Sequence, residues 1–256
     1  MVNRIFALAL VLVFSGMSFA SESSTLAFRA QKSIANGKFA KGYGQLERAL
    51  LASRKEADLA SEGRVLLSMA RVRIMSLDLN FADSLLKVVR PEALDENSAL
   101  MLNQSKVALA NAREKYGDAE KICRSIDDGD IKKRDEALKA AYYSECATAY
   151  AGAGHEDEAN AALKMTGKNS DTDGGFYAYT AAKVKRLLGN SEAEKLYKSA
   201  EEKSIKSNYT YMTATILWER SLIKGVPQKE KDDLRLRCKN AFELMGLPNN
   251  AKRCGK

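Results

Sequence analysis

Four cysteines and a single histidine are the side chains of this sequence best suited to chemistry. Cys123, Cys146, Cys238 and Cys254 could form disulfides, hold a metal or act as nucleophiles. Nucleophilic catalysis by serine or cysteine needs a base to take the proton, and His155 is the only histidine on offer. It sits in GAGHEDEA, residues 152–159, followed by Glu156, Asp157 and Glu158, which read as the acidic first turn of a helix complementing its dipole. His155 is therefore expected to be a turn residue. The close cysteine pairs of zinc sites are absent and one histidine cannot complete a ligand set, so no metal and no cofactor are expected. Glycine-rich phosphate loops, a His-Glu-x-x-His pair and a nucleophile elbow are missing as well.

Two acidic stretches remain. Asp127, Asp128 and Asp130 lie among glycine and lysine, in contrast to the apolar pocket that raises the pKa of a glycosidase acid, and they read as a solvated loop. Asn169, Asp171, Asp173 and Gly174 reproduce the opening of an EF-hand-type calcium loop. The bidentate acid such a loop needs at its end would fall on Thr180, which cannot supply it, so a polar connection between helices is the expectation. The sequence holds no complete catalytic set, and the chain is expected not to be an enzyme.

The cysteines take their meaning from the compartment. Residues 1–20, MVNRIFALALVLVFSGMSFA, carry one Arg, an apolar run from Ile5 to Phe14, and small residues flanking Phe19, which is the layout of a cleaved secretory signal peptide. The apolar run is too short to span a bilayer, which needs about 20 such residues. The expected mature chain, residues 21–256, is thus exported, periplasmic or secreted, without a membrane span, into a compartment that oxidises thiols. Of the three possible pairings, Cys123 with Cys146 and Cys238 with Cys254 are expected, because each would join neighbouring helices or a helix to its own tail. Each loop closure is worth about 3 kcal/mol in the chain-entropy picture. The full chain has 41 basic and 33 acidic residues; losing Arg4 with the leader leaves a net charge of +7. Those charges are interspersed instead of forming a stripe, so nucleic acid is not an expected partner.

The elements that must hold these residues read as helices throughout. Apolar and small residues recur at three- and four-residue intervals after Thr25, without sustained alternation, and only three prolines interrupt the chain. Breaks are expected at 35–38, 76–80, 90–97, 125–133, 152–157, 166–175, 187–191 and 224–228. In the stretch 142–163, Tyr143, Cys146, Ala147, Tyr150, Gly154, Ala159 and Leu163 set large residues against small ones at fixed intervals. Leu79, Ala82, Leu86 and Val89 follow the same intervals, as do Gly37, Phe39, Gly42, Leu46 and Ala49, and Ala193, Tyr197 and Ala200.

This spacing resembles the tetratricopeptide repeat, in a degenerate form that lacks the closing proline. The resemblance implies a right-handed, all-α solenoid of antiparallel helix pairs forming a single domain over residues 21–256. The last pair, with Trp218 and Phe242, would cap one end. In that family the first helix of each pair lines a concave groove, and the residue after the small packing residue faces it. Gln31, Arg71, Thr148 and Ala182 would then be groove positions, with Arg64 and Lys185 close by, suited to an anionic or carboxylate-bearing partner. The function so implied is that of a non-enzymatic interaction or scaffold module of the cell envelope, holding another envelope or secreted protein. The alternatives are a component acting on envelope polymers such as peptidoglycan, and a calcium or small-ligand binder.

Overall fold

The computed structural model describes residues 21–170 and 175–255. Residues 1–20, expected to be a leader, and residues 171–174, the heart of the calcium-like loop, lie outside them. Among the described residues the chain is helical, with fourteen α-helices, one 3-10 turn and no strand. They run α1 (Glu22–Ala35), α2 (Phe39–Lys55), α3 (Leu59–Met75), α4 (Leu79–Val88), α5 (Glu96–Ala112), α6 (Tyr116–Arg124) and α7 (Asp128–Lys132). After these come α8 (Glu136–Ala153), α9 (Glu156–Asn169), α10 (Gly175–Leu187), α11 (Ala193–Lys206), α12 (Thr210–Ser221), α13 (Gln228–Leu244) and α14 (Pro248–Cys254).

Starts and stops have local causes. Asp58 and Asp95 cap α3 and α5 by accepting from the backbone N–H of Ser61 and Ser98, at 2.9 and 2.7 Å, which satisfies one of the orphan donors of each first turn. At the other end the same turn recurs: one residue in the left-handed region, and the next donating its N–H to the carbonyl five residues back. Gly37, Gly154, Gly189 and Gly246 take the left-handed position after α1, α8, α10 and α13, while Ala57, Leu77, Glu114 and Asn208 take it after α2, α3, α5 and α11. The breaks at 56–58, 113–115 and 207–209, which carry no glycine, and the one at 245–247, which does, are not among those expected from the sequence. The expected loop at 125–133 also contains a helical turn, α7, pinned by Ile131, which is 2% exposed.

Most landmark residues of the spacing are interior, while Leu79 and Tyr150 are half-buried and Gly154 is exposed. Ala82, Leu46, Ala49, Ala147, Ala159, Tyr197 and Ala200 are fully buried, and Tyr143, Leu163 and Leu86 nearly so. The small residues permit close approach between helices: a Cβ on Gly152 of α8 would collide with the Tyr116 ring of α6, and one on Gly42 of α2 with Ile34 of α1. Apart from the short α7, each helix packs on a chain neighbour, and α3, α5, α8 and α10 also pack on one another in succession.

Both disulfides have the expected partners. Cys123 of α6 meets Cys146 of α8 with their Cα atoms 5.7 Å apart, and Cys238 of α13 meets Cys254 of α14 at 5.9 Å. Two disulfides, and the absence of any described helix long and apolar enough to cross a membrane, are compatible with an exported protein.

The last helices do not simply end a stack. Phe242, Cys238 and Leu234 of α13 and Leu217 of α12 share one apolar core with Leu46, Leu67 and Ile74 of α2 and α3. Tyr211 of α12 lies between Phe39 and Phe242, with ring centroids 5.5 and 5.7 Å away. Its hydroxyl donates to the Met75 carbonyl at 2.9 Å, and the Asn250 amide of α14 donates to the same oxygen at 2.9 Å. The pair expected to cap a free end instead joins the C-terminal helices to the N-terminal ones.

Candidate functional site

That closure makes a site. A cavity of about 190 Å³ lies between α3, α5, α8, α10, α12 and α14. Arg71 comes from α3, Glu145 from α8, Lys183 from α10, Glu219 from α12 and Arg253 from α14. Each is fixed by a helix whose opposite face is core: Ala70, Ala147, Ala182 and Ala214 are fully buried behind them, and Cys254 anchors α14 next to Arg253.

The charges do not cancel. Glu219 is engaged by Arg186 Nη2 at 2.6 Å and accepts from the Tyr197 hydroxyl at 3.4 Å. Glu145 accepts from the Asn111 amide at 3.0 Å and has no cation at ion-pair distance among the described residues. Arg71 donates to the Gln104 side-chain oxygen, and Arg253 stacks over the Trp218 ring at 5.4 Å. Neither of them, nor Lys183, has a carboxylate at ion-pair distance among the described residues. Burial pushes Arg71 below the usual arginine value, with Glu145 and Tyr211 opposing the shift.

The remaining wall is mixed. Thr148, Thr180 and Thr215 bring hydroxyls that donate to the carbonyls four residues back, and Ile74, Met75, Phe176 and Met212 supply apolar surface. Burial raises the phenol of Tyr211 to about 12 and that of Tyr179 further, so both stay protonated, the Tyr211 proton being given to the Met75 carbonyl. The site can hold an anion against three guanidinium and ammonium groups and place an apolar portion against the walls.

Of the positions read from the sequence, Arg71 and Thr148 line this cavity. Ala182 is fully buried in a core with Tyr197 and Ala200, and Lys183, one position on, faces the cavity in its place. Lys185 is half-buried and outside the lining. Gln31 is half-buried in α1. Arg64 binds Asp95 at 3.2 Å and Ser61 at 2.8 Å, at the cap of α5. Sequence reasoning missed Lys183, Glu145 and Arg253: the first two needed the helix rotation, and Arg253 needed the return of α14.

The other candidate chemistry is distributed elsewhere. His155 precedes α9 as its cap residue, and its Nδ1 lies 2.9 Å from Glu120, which also accepts from Arg124 at 2.7 Å. Asp127, Asp128 and Asp130 are exposed, with Asp127 accepting from the Gly129 N–H. Asn169 ends α9 and donates to the Met165 carbonyl, whereas Thr180 is buried against Ser144 at 2.9 Å. Among the described residues, no three His, Cys, Asp or Glu side chains are grouped so as to hold a metal ion.

No protein-family model matches this chain, and comparison with curated proteins finds no match.

Proposed function

We propose that this protein is a non-enzymatic binding module of the cell envelope, periplasmic or secreted, and that its inner face receives an anionic group presented by a partner. The observation that carries the reading is the convergence of Arg71, Lys183 and Arg253 on one cavity with no carboxylate at ion-pair distance from any of them among the described residues. Cations held in a recess without counter-charge favour an anionic guest, because low local dielectric strengthens the attraction and a guanidinium presents a planar fork of donors.

A tetratricopeptide-like arrangement of stacked helix pairs is part of the proposal. Polar links between units recur at separations of 33 to 36 residues: Arg71 to Gln104, Arg113 to the Leu79 carbonyl, Asn111 to Glu145, Arg124 to Glu158, and Ser144 to Thr180. A recurrent separation of that size is what supersecondary units of one length give when each stacks on the next.

The test is retention from an envelope extract on the immobilised, disulfide-bonded protein, compared with Lys183→Met. A partner held by the wild type and released by the variant supports the reading. Identical retention on both would remove the inner face from the interaction.

A further inference from the structure

The cavity also constrains what kind of anion it takes. An engineered cavity of about 150 Å³ admits benzene, so the present 190 Å³ suits a group modestly larger than benzene. The cavity is partly open, so that group can be free or the end of a larger molecule.

Charge narrows the choice. With Glu219 engaged by Arg186, the lining offers three cations against Glu145 alone. The surplus of cations draws in an anion, and the apolar part of the wall offers a second charge no partner.

The donors are side chains: Arg71 and Lys183 project from the interiors of α3 and α10 and Arg253 from the last turn of α14. Such donors take carboxylate and phosphate alike, so the rest of the wall decides between them. The Ile74, Met75, Phe176 and Met212 walls would leave apolar surface uncovered beside a bare phosphate.

We infer that the cavity is a binding site for a monocarboxylate on a short apolar body, the carboxylate held among Arg71, Lys183 and Arg253 and the body against Ile74, Phe176 and Met212. The inference rests on the proposed role of the inner face in binding. The same group can come as a free organic acid or as part of a partner, and both satisfy the site by the same contacts.

Calorimetric titration of the disulfide-bonded protein with phenylacetate and hexanoate tests this directly, with phenylacetamide, hexanamide and inorganic phosphate as comparisons. The acids bind roughly tenfold or more tightly than the amides, since a charge-assisted hydrogen bond is lost with the charge. Lys183→Met and Arg71→Met weaken the acids and leave the amides unchanged; the acid–amide comparison in the wild type stands even where Arg71→Met fails to fold. Equal binding of acid and amide, tighter binding of phosphate, or no binding by either acid overturns the assignment. Release of a captured partner by phenylacetate identifies the partner as the source, and binding without release identifies a free acid; both uphold the site. Partner capture that depends on Lys183 while both acids fail to bind leaves the binding-module reading standing and removes only the ligand class.

Discussion

The Tyr211 hydroxyl donates to the Met75 carbonyl across 136 residues of sequence, at 2.9 Å. Met75 is the last residue of α3, where carbonyls lack intrahelical partners, and Asn250 donates to the same oxygen. Closure of the chain therefore satisfies a helix end and completes the cavity wall in one contact. Tyr211→Phe keeps the ring between Phe39 and Phe242 and is expected to cost about 1 kcal/mol. Adding Asn250→Ala leaves the carbonyl without either donor, so the double variant loses more than the two single losses combined. Denaturant melts of the four species give the coupling, and strict additivity would show that the carbonyl finds other partners.

The two disulfides separate stability from function. Removing either pair by Cys→Ser is expected to lower stability by about 3 kcal/mol, since the closed loops are of similar length. Their effects on the cavity differ. Arg253 sits in the seven-residue α14 next to Cys254, whereas Glu145, next to Cys146, is held within the eighteen residues of α8. Cys238→Ser/Cys254→Ser is therefore expected to weaken phenylacetate binding and Cys123→Ser/Cys146→Ser to leave it nearly unchanged, read by titration at a temperature where both variants are folded.

Arg220 anchors the C-terminal helices by a different means. Its side chain is 7% exposed and meets Glu201 at 2.6 Å and Glu194 and Glu230 at 2.9 Å each. Arg220→Met leaves carboxylates in a poorly solvated place with Arg237 as the remaining partner of Glu201, at 3.0 Å. Loss of one member of a buried ion pair costs about 3–5 kcal/mol; the retained Arg237 contact puts the expected value near the lower end, measured by denaturant unfolding.

Much of this fold could be read from spacing, because large and small residues at helical intervals fix which faces can approach: Tyr143, Ala147, Ala159 and Tyr197 are interior as expected. The disulfide partners were legible because short loop closures suit neighbouring helices. Arg71 and Thr148 were found through the repeat spacing, whereas Ala182 and Lys185 missed the cavity because α10 presents Thr180 and Lys183 to it. Arg253 was beyond reach, since its place depends on contacts between chain ends that no local pattern encodes. Helix ends at Ala57, Glu114 and Asn208 lack the glycine that usually marks a left-handed turn, although Leu77 is legible without one and Gly246 is missed with one.

Those turns give a stabilising change. Glu114 has φ +57°, a conformation that costs a non-glycine residue about 1–2 kcal/mol. Glycine removes that strain but loses more freedom on folding, about 0.5–1 kcal/mol. Glu114→Gly is expected to raise stability by a net of about 0.5–1 kcal/mol, visible as a higher denaturation midpoint. Glu114→Val, with a branched side chain in the same turn, moves it the other way.

Acid should weaken the protein through the helix caps. Burial alone would raise Asp58 and Asp95, but the Ser61 hydroxyl and N–H, and the Ser98 N–H with Arg64, hold both below the ordinary value of 3.8. A carboxyl whose folded value is depressed gives stability that is present above its unfolded pKa and is lost as pH falls through the folded one. The Tm is thus expected to hold steady near neutrality and to fall on acidification below about pH 4. Asn caps a helix without titrating, so Asp58→Asn/Asp95→Asn should start lower at neutral pH, having lost charge-assisted bonds, and then decline less steeply in acid. Parallel melting curves for the two proteins across that range would assign the acid sensitivity to other carboxylates.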